Sequence, residues 1–169
     1  PKRWNPKAVR NSISSAKNQL VTPEDYAKQA AGPFSRVVAQ VYPLYEKALR
    51  DQNAFDFDDL LVKPVQLLRE HENVLFAYRA RFNFILVDEY QDTNHAQYVL
   101  LQLLAGGPDG GNIMVVGDDD QSIYGWRGAD IRNILDFEKD FPDARIVRLE
   151  QNYRSTGRIL DAANAIISK

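Results

Sequence analysis

Cysteine is absent from the 169-residue sequence, and histidine occurs only at His71 and His95. The lack of cysteine excludes disulfide bonds, thiolate nucleophiles and cysteine-ligated zinc. Two isolated histidines are too few for a histidine metal site. The sequence also lacks an apolar run of about eighteen residues and a signal-peptide pattern at its start, so it predicts no membrane association. We therefore expect a cytoplasmic protein.

An excess of one charge is also missing, because 21 basic residues face 23 acidic ones and the formal net charge is -2. Any contact with nucleic acid must then come from a local patch rather than from a global positive field. One candidate patch is the segment before Glu24, which has no acid and carries Lys2, Arg3, Lys7, Arg10 and Lys17. This segment is a candidate phosphate-contacting arm, and the more common alternative is a solvated basic helix face.

Residues 1–52 predict a helical subdomain of three helices divided by prolines. Asn11 or Ser12 is a candidate cap for the first helix, while Thr22 caps the second and Pro23 occupies its first position, where a missing N–H costs nothing. The third helix has one apolar face, because apolar residues recur at spacings of three and four: Val37, Val38, Val41, Tyr42, Tyr45 and Leu49.

Residues 53–169 predict an α/β layer with a parallel sheet. Two short apolar runs, residues 84–87 and 112–116, are typical of strands covered on both faces, and the segment between them predicts a helix and a glycine-rich loop. Strand, helix and strand in this order form a βαβ unit. The remaining predicted elements are an amphipathic helix that ends towards His71, a helix at 131–140, a third strand at 145–149 and a last helix at 155–168.

Adjacent carboxylates, Asp88 and Glu89, follow the first predicted strand. Ligands of open α/β sheets bind at the carboxyl edge of the strands, where these two side chains are expected. Neighbouring strand residues point to opposite sides, so the two acids need not do the same work. In a nucleotide-hydrolysing site Asp88 would hold magnesium and Glu89 would activate the attacking water. The alternative is an acidic turn that caps the following helix.

A second polar segment follows the next predicted strand and extends from Gly117 to Gly128. Gln121 offers an amide that can sense a terminal phosphate, and Trp126 with Arg127 offers an aromatic plane and a cation for single-stranded nucleic acid. The alternative interpretation places Tyr124 and Trp126 in the core and makes the three acids at 118–120 a solvated turn or a calcium-like loop.

A third polar cluster lies at residues 151–156. Arg154 is a candidate for stabilising charge on a transferred phosphoryl group, and Tyr153 is a candidate for stacking on a purine. The alternative for Arg154 is an ordinary surface ion pair near a helix start.

Together and in this order, the segments resemble the UvrD/PcrA/Rep family of superfamily 1 DNA helicases. Val-Asp-Glu-Tyr-Gln-Asp-Thr-Asn at 87–94 resembles that family's Walker B motif, and residues 117–128 resemble its third motif, which links ATP to single-stranded DNA. Gln-Asn-Tyr-Arg-Ser at 151–155 resembles the fourth motif. Asp-Phe-Asp-Asp-Leu at 56–60 resembles a family segment before the Walker B strand.

The resemblance implies a partial RecA-like motor domain, called 1A, at 53–169 and a partial helical 1B subdomain at 1–52. It implies ATP and Mg²⁺ as cofactors, single-stranded DNA and single-strand/duplex junctions as partners, and 3′ to 5′ movement. The implied ATP-site residues are Asp88 for magnesium, Glu89 as general base, Gln121 and Arg154 at the γ-phosphate and Tyr153 on the adenine. The implied DNA-binding residues are Tyr124, Trp126 and Arg127.

The sequence departs from the family pattern in the loop that grips ATP. A phosphate-binding P-loop needs Gly-x-x-x-x-Gly-Lys-Ser/Thr, and no glycine in this sequence is followed by lysine. The family places that loop ahead of the segments found here, so we expect a fragment of a motor that is inactive as an ATPase by itself. Missing strands would leave an open sheet edge, so self-association is also expected.

Two further functions stay open from the sequence. One is a non-catalytic module that binds single-stranded DNA or a protein through the basic arm and the Trp126 segment. The other is a nuclease with a metal cluster at Asp88, Glu89 and Asp118, because two-metal nucleases also gather acids at strand ends.

Overall fold

Three helices at the N-terminal end form the predicted helical unit in the computed structural model, which describes residues 4–106 and 111–168. They are α1 (Pro6–Asn18), α2 (Pro23–Gln29) and α3 (Pro33–Asp51), and each begins at a proline. The prediction for α2 is confirmed, because the Thr22 side chain accepts a hydrogen bond from Asp25 N. The cap predicted for α1 at Asn11 or Ser12 is wrong: the helix starts earlier, and its cap is Asn5.

The core of this unit lies between α1 and α3. Its buried side chains come from one face of each helix: Val9, Ile13 and Ala16 of α1, and Val38 and Tyr42 of α3. The Tyr42 hydroxyl donates a hydrogen bond of 3.1 Å to the carbonyl oxygen of Val21, which ties the α1–α2 connection to α3. The predicted apolar face of α3 is confirmed at its centre, although Val41 is exposed.

Three more helices pack against one another before and beside the sheet: α4 (Asp59–Glu70), α5 (Glu72–Arg81) and α6 (His95–Ala105). The predictions of α4 and α6 are confirmed. Asn94 and Gln97 cap α6 reciprocally, and Gly106 ends it with φ at +90°, a conformation that favours glycine. The sequence analysis missed α5, because its apolar residues are spread around the helix and give no periodic signal.

The sheet has two parallel strands in the described residues, β1 (Ile85–Val87) and β2 (Ile113–Val115), which confirms the predicted βαβ unit. The register pairs Ile85 with Ile113 and Val87 with Val115. Leu86 and Met114 also pair, and they are 75% and 58% exposed, so the expectation that both faces are covered is wrong. The α/β class is confirmed, and a RecA-like arrangement stays a prediction.

The segment after β2 differs most from the sequence-based expectations. The single helix predicted at 131–140 is two short helices, α7 (Arg132–Leu135) and α8 (Phe137–Asp140). The third strand predicted at 145–149 is wrong, because that segment pairs with no strand in the described part of the chain. The last helix is confirmed as α9 (Gly157–Ile167). No helix in the described ranges is long and apolar enough to cross a membrane.

A buried ion cluster joins the helical unit to the start of α4. The Lys17 ammonium, whose side chain is 2% exposed, lies 2.7 Å from Glu46 Oε1, 2.8 Å from Asp56 Oδ2 and 2.9 Å from Asp59 Oδ1. Burial alone would lower the pKa of Lys17, but hydrogen bonds to the three carboxylates outweigh burial and raise that pKa. Lys17 is therefore charged at neutral pH and bound to three acids.

The cluster corrects the interpretation of the N-terminal segment as a phosphate-contacting arm. Lys17 cannot contact phosphate, because its charge is buried and already paired. Lys7 and Arg10 are exposed on α1, and Lys2 and Arg3 lie outside the described residues. Because three acids surround one ammonium group, the cluster has no excess of positive charge to offer a phosphate.

We predict that Lys17→Met lowers the free energy of unfolding by about 3–5 kcal/mol, because it leaves three carboxylates buried together without their cation. The pKa of Lys17 is raised in the folded protein, so the stability that Lys17 contributes is lost only when the pH rises above the ordinary lysine pKa of about 10.4. The full difference between Lys17→Met and the parent chain is therefore expected at pH 7. Urea unfolding followed by circular dichroism measures the loss. Lys28→Met is the matched control, because Lys28 forms an exposed pair with Asp25 and its loss should leave the transition unchanged. Equal effects of the two variants would contradict this role for Lys17.

Asp56 gives a second prediction, on the dependence of stability on pH. Burial alone would raise the pKa of Asp56, but hydrogen bonds from Lys17, from the Asp59 backbone and from Tyr45 hold it below its usual value. A depressed folded-state pKa contributes stability above the unfolded value of about 3.9, and this contribution is lost as the pH falls through the folded pKa. Between pH 6 and pH 2.5, Asp56→Asn should therefore lose less unfolding free energy than the parent chain, and Tyr45→Phe should fall between the two. Parallel curves for all three proteins would refute it.

Candidate nucleotide and nucleic-acid site

The acidic segment begins where β1 ends. Asp88 and Glu89 are both exposed, and Asp88 Oδ1 accepts a hydrogen bond of 2.9 Å from Glu89 N. Glu89 has φ +51° and ψ +41°, a left-handed conformation that is costly for a residue with a side chain. A short 3₁₀ helix, Tyr90–Asp92, follows, and the cap of α6 is Asn94. The interpretation of the two acids as a cap of the following helix is therefore wrong.

Two buried residues, Tyr90 and Gln91, hold the acidic segment in place. Tyr90 is 1% exposed, and its ring meets Phe137 edge-on with 5.6 Å between ring centroids. Burial raises the pKa of the Tyr90 hydroxyl to about 12, so this side chain stays neutral at physiological pH. Gln91 has no exposed surface, and its Nε2 donates a hydrogen bond of 2.8 Å to Glu89 Oε2. The sequence analysis missed Gln91, although it is the neutral amide within a run of acids.

The segment after β2 lies beside the first. Asp118 N donates a hydrogen bond of 3.1 Å to Gln91 Oε1, and Gln121 Nε2 donates one of 2.6 Å to Asp118 Oδ2. Gln121 and the three acids before it are exposed. Among the described residues, Asp118, Asp119 and Asp120 form the one group of three carboxylates that lie close enough together to surround a metal ion. Asp88 and Glu89 do not belong to it, so the predicted nuclease cluster of Asp88, Glu89 and Asp118 is not formed.

An aromatic and cationic tip follows at Tyr124, Trp126 and Arg127. The Arg127 guanidinium lies 4.7 Å from the ring centroid of Trp126 and 5.1 Å from that of Tyr124, within the range of cation–π attraction. Trp126 is 76% exposed, so its placement in the core is wrong. Gly128 closes the tip with φ at +87°, which a side chain would strain. The result is a solvent-facing aromatic surface.

Backbone contacts hold this second segment to the first at both ends. At the start, Tyr90 N donates a hydrogen bond of 3.0 Å to the carbonyl oxygen of Val116. At the end, Asn94 and Ala129 form an isolated antiparallel bridge, and Asp130 N donates 3.0 Å to the carbonyl oxygen of Thr93. Residues 90–94 and 116–130 therefore form one hydrogen-bonded body.

A cleft of about 1110 Å³ opens over this body. One wall carries five of the predicted site residues: Glu89, Gln121, Tyr124, Trp126 and Arg127. The other wall comes from elements that the sequence analysis did not connect with the site: Asn11, Ser14, Ser15 and Asn18 of α1, and Phe57 and Asp58 ahead of α4. The spacing of three and four between the polar residues of α1 was a signal for one polar face.

Hydrogen bonds fix the second wall against the first. Asn18 Nδ2 donates a hydrogen bond of 2.9 Å to Asp58 Oδ1, and Asn94 Nδ2 donates one of 2.7 Å to Asn18 Oδ1. Asn94 is also the cap of α6, so the polar face of α1 is bonded to the residue that ends the acidic segment. The relative position of the two walls is therefore determined by side chains and not only by the apolar core.

The third predicted cluster lies apart from the cleft. Tyr153 is 91% exposed, and Arg154 is exposed as well. The Asn152 side chain accepts hydrogen bonds of 2.9 Å from the backbone N–H groups of Arg154 and Ser155, so the turn is ordered locally. Neither Tyr153 nor Arg154 lines the cleft in the described part of the chain, and their roles towards a nucleotide stay predictions.

Asp88 is chemically suited to the magnesium ion implied by the resemblance. Mg²⁺ keeps several water molecules in proteins and is held by one or two carboxylates together with substrate phosphates. The Asp88 carboxylate is exposed at the carboxyl edge of β1, and its Oδ1 bonds only within its own turn. An exposed carboxylate in this position can bind a hydrated ion through the ion's water shell.

Comparison with known proteins gives one consistent family. The family model for the UvrD/REP helicase N-terminal domain matches residues 1–142. The chain is 52% identical over 167 residues to the ATP-dependent DNA helicase PcrA of Bacillus subtilis, a match that covers 99% of this chain and 22% of that protein. It is 49% identical over 176 residues to the ATP-dependent DNA helicase UvrD1 of Mycobacterium tuberculosis, covering 99% and 23%. The chain thus spans less than a quarter of the length of these relatives.

Proposed function

The chain belongs to the UvrD/REP helicase family, and from this premise we propose that it is part of an ATP-dependent DNA helicase in which ATP hydrolysis drives movement along single-stranded DNA. One cleft holds both Glu89 and Trp126, and this shared cleft is the observation that supports the proposal most. A carboxylate suited to hydrolysis and an aromatic surface suited to a nucleobase thus line one cleft. The relatives named above are ATP-dependent DNA helicases, which agrees with this function.

In the proposed hydrolysis reaction, Glu89 accepts a proton from the water that attacks the γ-phosphate. Gln121 would contact the γ-phosphate with its amide, and Asp88 would hold a magnesium ion through the ion's water shell. Glu89 and Gln121 line the same cleft, which supports their joint action on one phosphate. Arg154 would stabilise the developing charge and Tyr153 would stack on the adenine after the segment at 151–155 approaches the cleft.

In the proposed DNA site, bases stack on the Trp126 ring while Arg127 and Tyr124 support that ring. Stacking on aromatic side chains contributes about 1–3 kcal/mol per base and tolerates any base sequence. Phe57, on the opposite wall, is 85% exposed and offers a second aromatic plane. Tolerance of sequence is what a motor that moves along arbitrary DNA needs.

We extend the proposal to the organisation of the chain. Residues 1–52 would form part of a 1B subdomain and residues 53–169 part of a RecA-like 1A domain, with movement in the 3′ to 5′ direction and unwinding at single-strand/duplex junctions. Leu86 and Met114 lie exposed on one face of the sheet, which supports self-association of the isolated chain.

A non-catalytic binding module is the second candidate function for the isolated chain. Its support is the absence of a Gly-Lys pair, and hence of a P-loop, from the sequence. By itself the chain would hold single-stranded DNA at the Trp126 wall without hydrolysing ATP.

We predict that Trp126→Ala weakens binding of the chain to fluorescent oligo-dT by about 5- to 100-fold, because it removes one stacking platform. Fluorescence anisotropy at fixed salt measures the dissociation constants. Phe76→Ala is the matched control, since Phe76 is an exposed aromatic residue on α5 that does not line the cleft. Equal binding by the parent chain and both variants would show that the tip is not the DNA site.

We predict that the 169-residue chain releases no phosphate from ATP, with or without oligo-dT and magnesium, because the sequence lacks the Gly-Lys pair that a phosphate-gripping loop requires. A coupled phosphate-release assay measures this, with Glu89→Gln and the surface variant Glu138→Gln beside the parent. DNA-stimulated release that disappears in Glu89→Gln and persists in Glu138→Gln would overturn the prediction.

A further inference from the structure

Gln91 is a polar side chain with no exposed surface, and none of the proposed roles above uses it. Burying an amide is costly unless its hydrogen bonds are satisfied. Both ends of this amide are satisfied: Nε2 donates to Glu89 Oε2 at 2.8 Å, and Oε1 accepts from Asp118 N at 3.1 Å. The amide therefore joins the proposed general base to Asp118, near the start of the second segment.

The two partners fix the orientation of the amide. Glu89 presents a carboxylate, which only accepts when ionised, and Asp118 presents a backbone N–H, which only donates. A reversed amide would set oxygen against oxygen and N–H against N–H, so one orientation is strongly favoured. Among the described residues, the Gln91 amide is the side chain from which the Glu89 carboxylate accepts a hydrogen bond. Glu89 thus has one positioning partner, and that partner is bonded to the segment that carries Trp126.

Gly117 leaves no free space beside the amide. A Cβ atom at Gly117 would lie 2.5 Å from Gln91 Oε1 and 2.8 Å from Ile134 Cδ1, both closer than Cβ atoms come to non-bonded neighbours. A shift of Gly117 towards the Gln91 amide must therefore displace that amide. Glu89 is held in a left-handed conformation next to this contact, so a small displacement acts on a residue that already has strained backbone geometry.

We propose that Gln91 is a positioning residue that couples the DNA-binding segment 117–128 to Glu89, so that occupation of the Trp126 wall changes the placement of the general base. This inference rests on the proposed function and adds the residue through which the two parts of the site communicate. The structural basis is one buried amide with a fixed orientation. Its nitrogen is hydrogen-bonded to Glu89, and its oxygen is hydrogen-bonded to the second segment at Asp118.

The coupling is measurable in the 169-residue chain without ATP hydrolysis, by NMR of the Glu89 carboxyl carbon and the backbone amides before and after addition of oligo-dT. In the parent chain we expect oligo-dT to shift both the Trp126 indole resonance and the Glu89 carboxyl resonance. Gln91→Met removes both hydrogen bonds, and Gln91→Glu, measured at a pH where the introduced carboxylate is ionised, keeps the acceptor for Asp118 N but loses the donor to Glu89. Both variants should retain the Trp126 shift and lose the Glu89 shift.

Matched controls separate coupling from a general effect on folding. Gln66→Met makes the same substitution on α4, outside the cleft, and should keep both shifts. Gln91→Glu should also leave the Asp118 amide resonance near its parent position, which shows that the segment is still in place. Gly117→Ala tests the contact between residue 117 and the Gln91 amide without DNA. Introduced into the parent chain, it should shift the Glu89 resonance; introduced into Gln91→Met, it should not.

The outcomes distinguish this inference from the proposed function. If oligo-dT shifts Trp126 in all variants and Glu89 responds equally in the parent, Gln91→Met and Gln91→Glu, DNA binding stands and the role of Gln91 is refuted. If Glu89 never responds, even to Gly117→Ala, the coupling is refuted in the same way. If oligo-dT shifts no resonance in the parent chain, the proposed DNA site fails and this inference fails with it.

Discussion

The parallel pairing of β1 with β2 is the constraint on which the rest of the site depends. Its register places Val87 beside Val115, so both strands end at the same edge and both following segments start there. The chain then needs only a few hydrogen bonds to bring Glu89 and Trp126 into one body, because the pairing has already removed most of the relative freedom of the two segments. A slip of this register would separate Gln91 from Asp118 and would take apart the contact between the two parts of the site.

The Lys17 cluster performs a related task for the opposite wall of the cleft. A buried ion cluster is weak evidence for stability, because desolvation offsets much of the attraction between the charges. It does restrict geometry, since a lysine surrounded by three carboxylates has few alternative positions. The residue after it, Asn18, carries the bond to Asp58 and to Asn94, so the ion cluster also places the polar face of α1 over the acidic segment.

Sequence patterns predicted the elements that depend on neighbouring residues. They failed for features that depend on contacts between residues far apart in the chain. Proline, Thr22 and regular apolar spacing predicted the early helices, and the two apolar runs predicted the βαβ unit. The third strand at 145–149 failed because a strand requires a partner, which composition does not reveal. Lys17 was placed in a candidate phosphate-contacting arm or a solvated basic face, because the acids that bury it lie at least 29 positions later in the chain. The importance of Gln91 became visible only when the two segments were adjacent.

The charges around the cleft indicate how a single strand of DNA would be held there. Arg127 is the one cation on walls that also carry Glu89, Asp92 and Asp58, among the residues that the structure describes. Phosphate groups are repelled by such walls, whereas bases are not, and the exposed rings of Trp126 and Phe57 offer them surfaces. On the proposed function, affinity at this site would come mainly from stacking and little from counterion release, which scales with the number of phosphates neutralised. Weak attachment to phosphates allows a strand to be released and gripped again, and this is a property that a motor requires at each step.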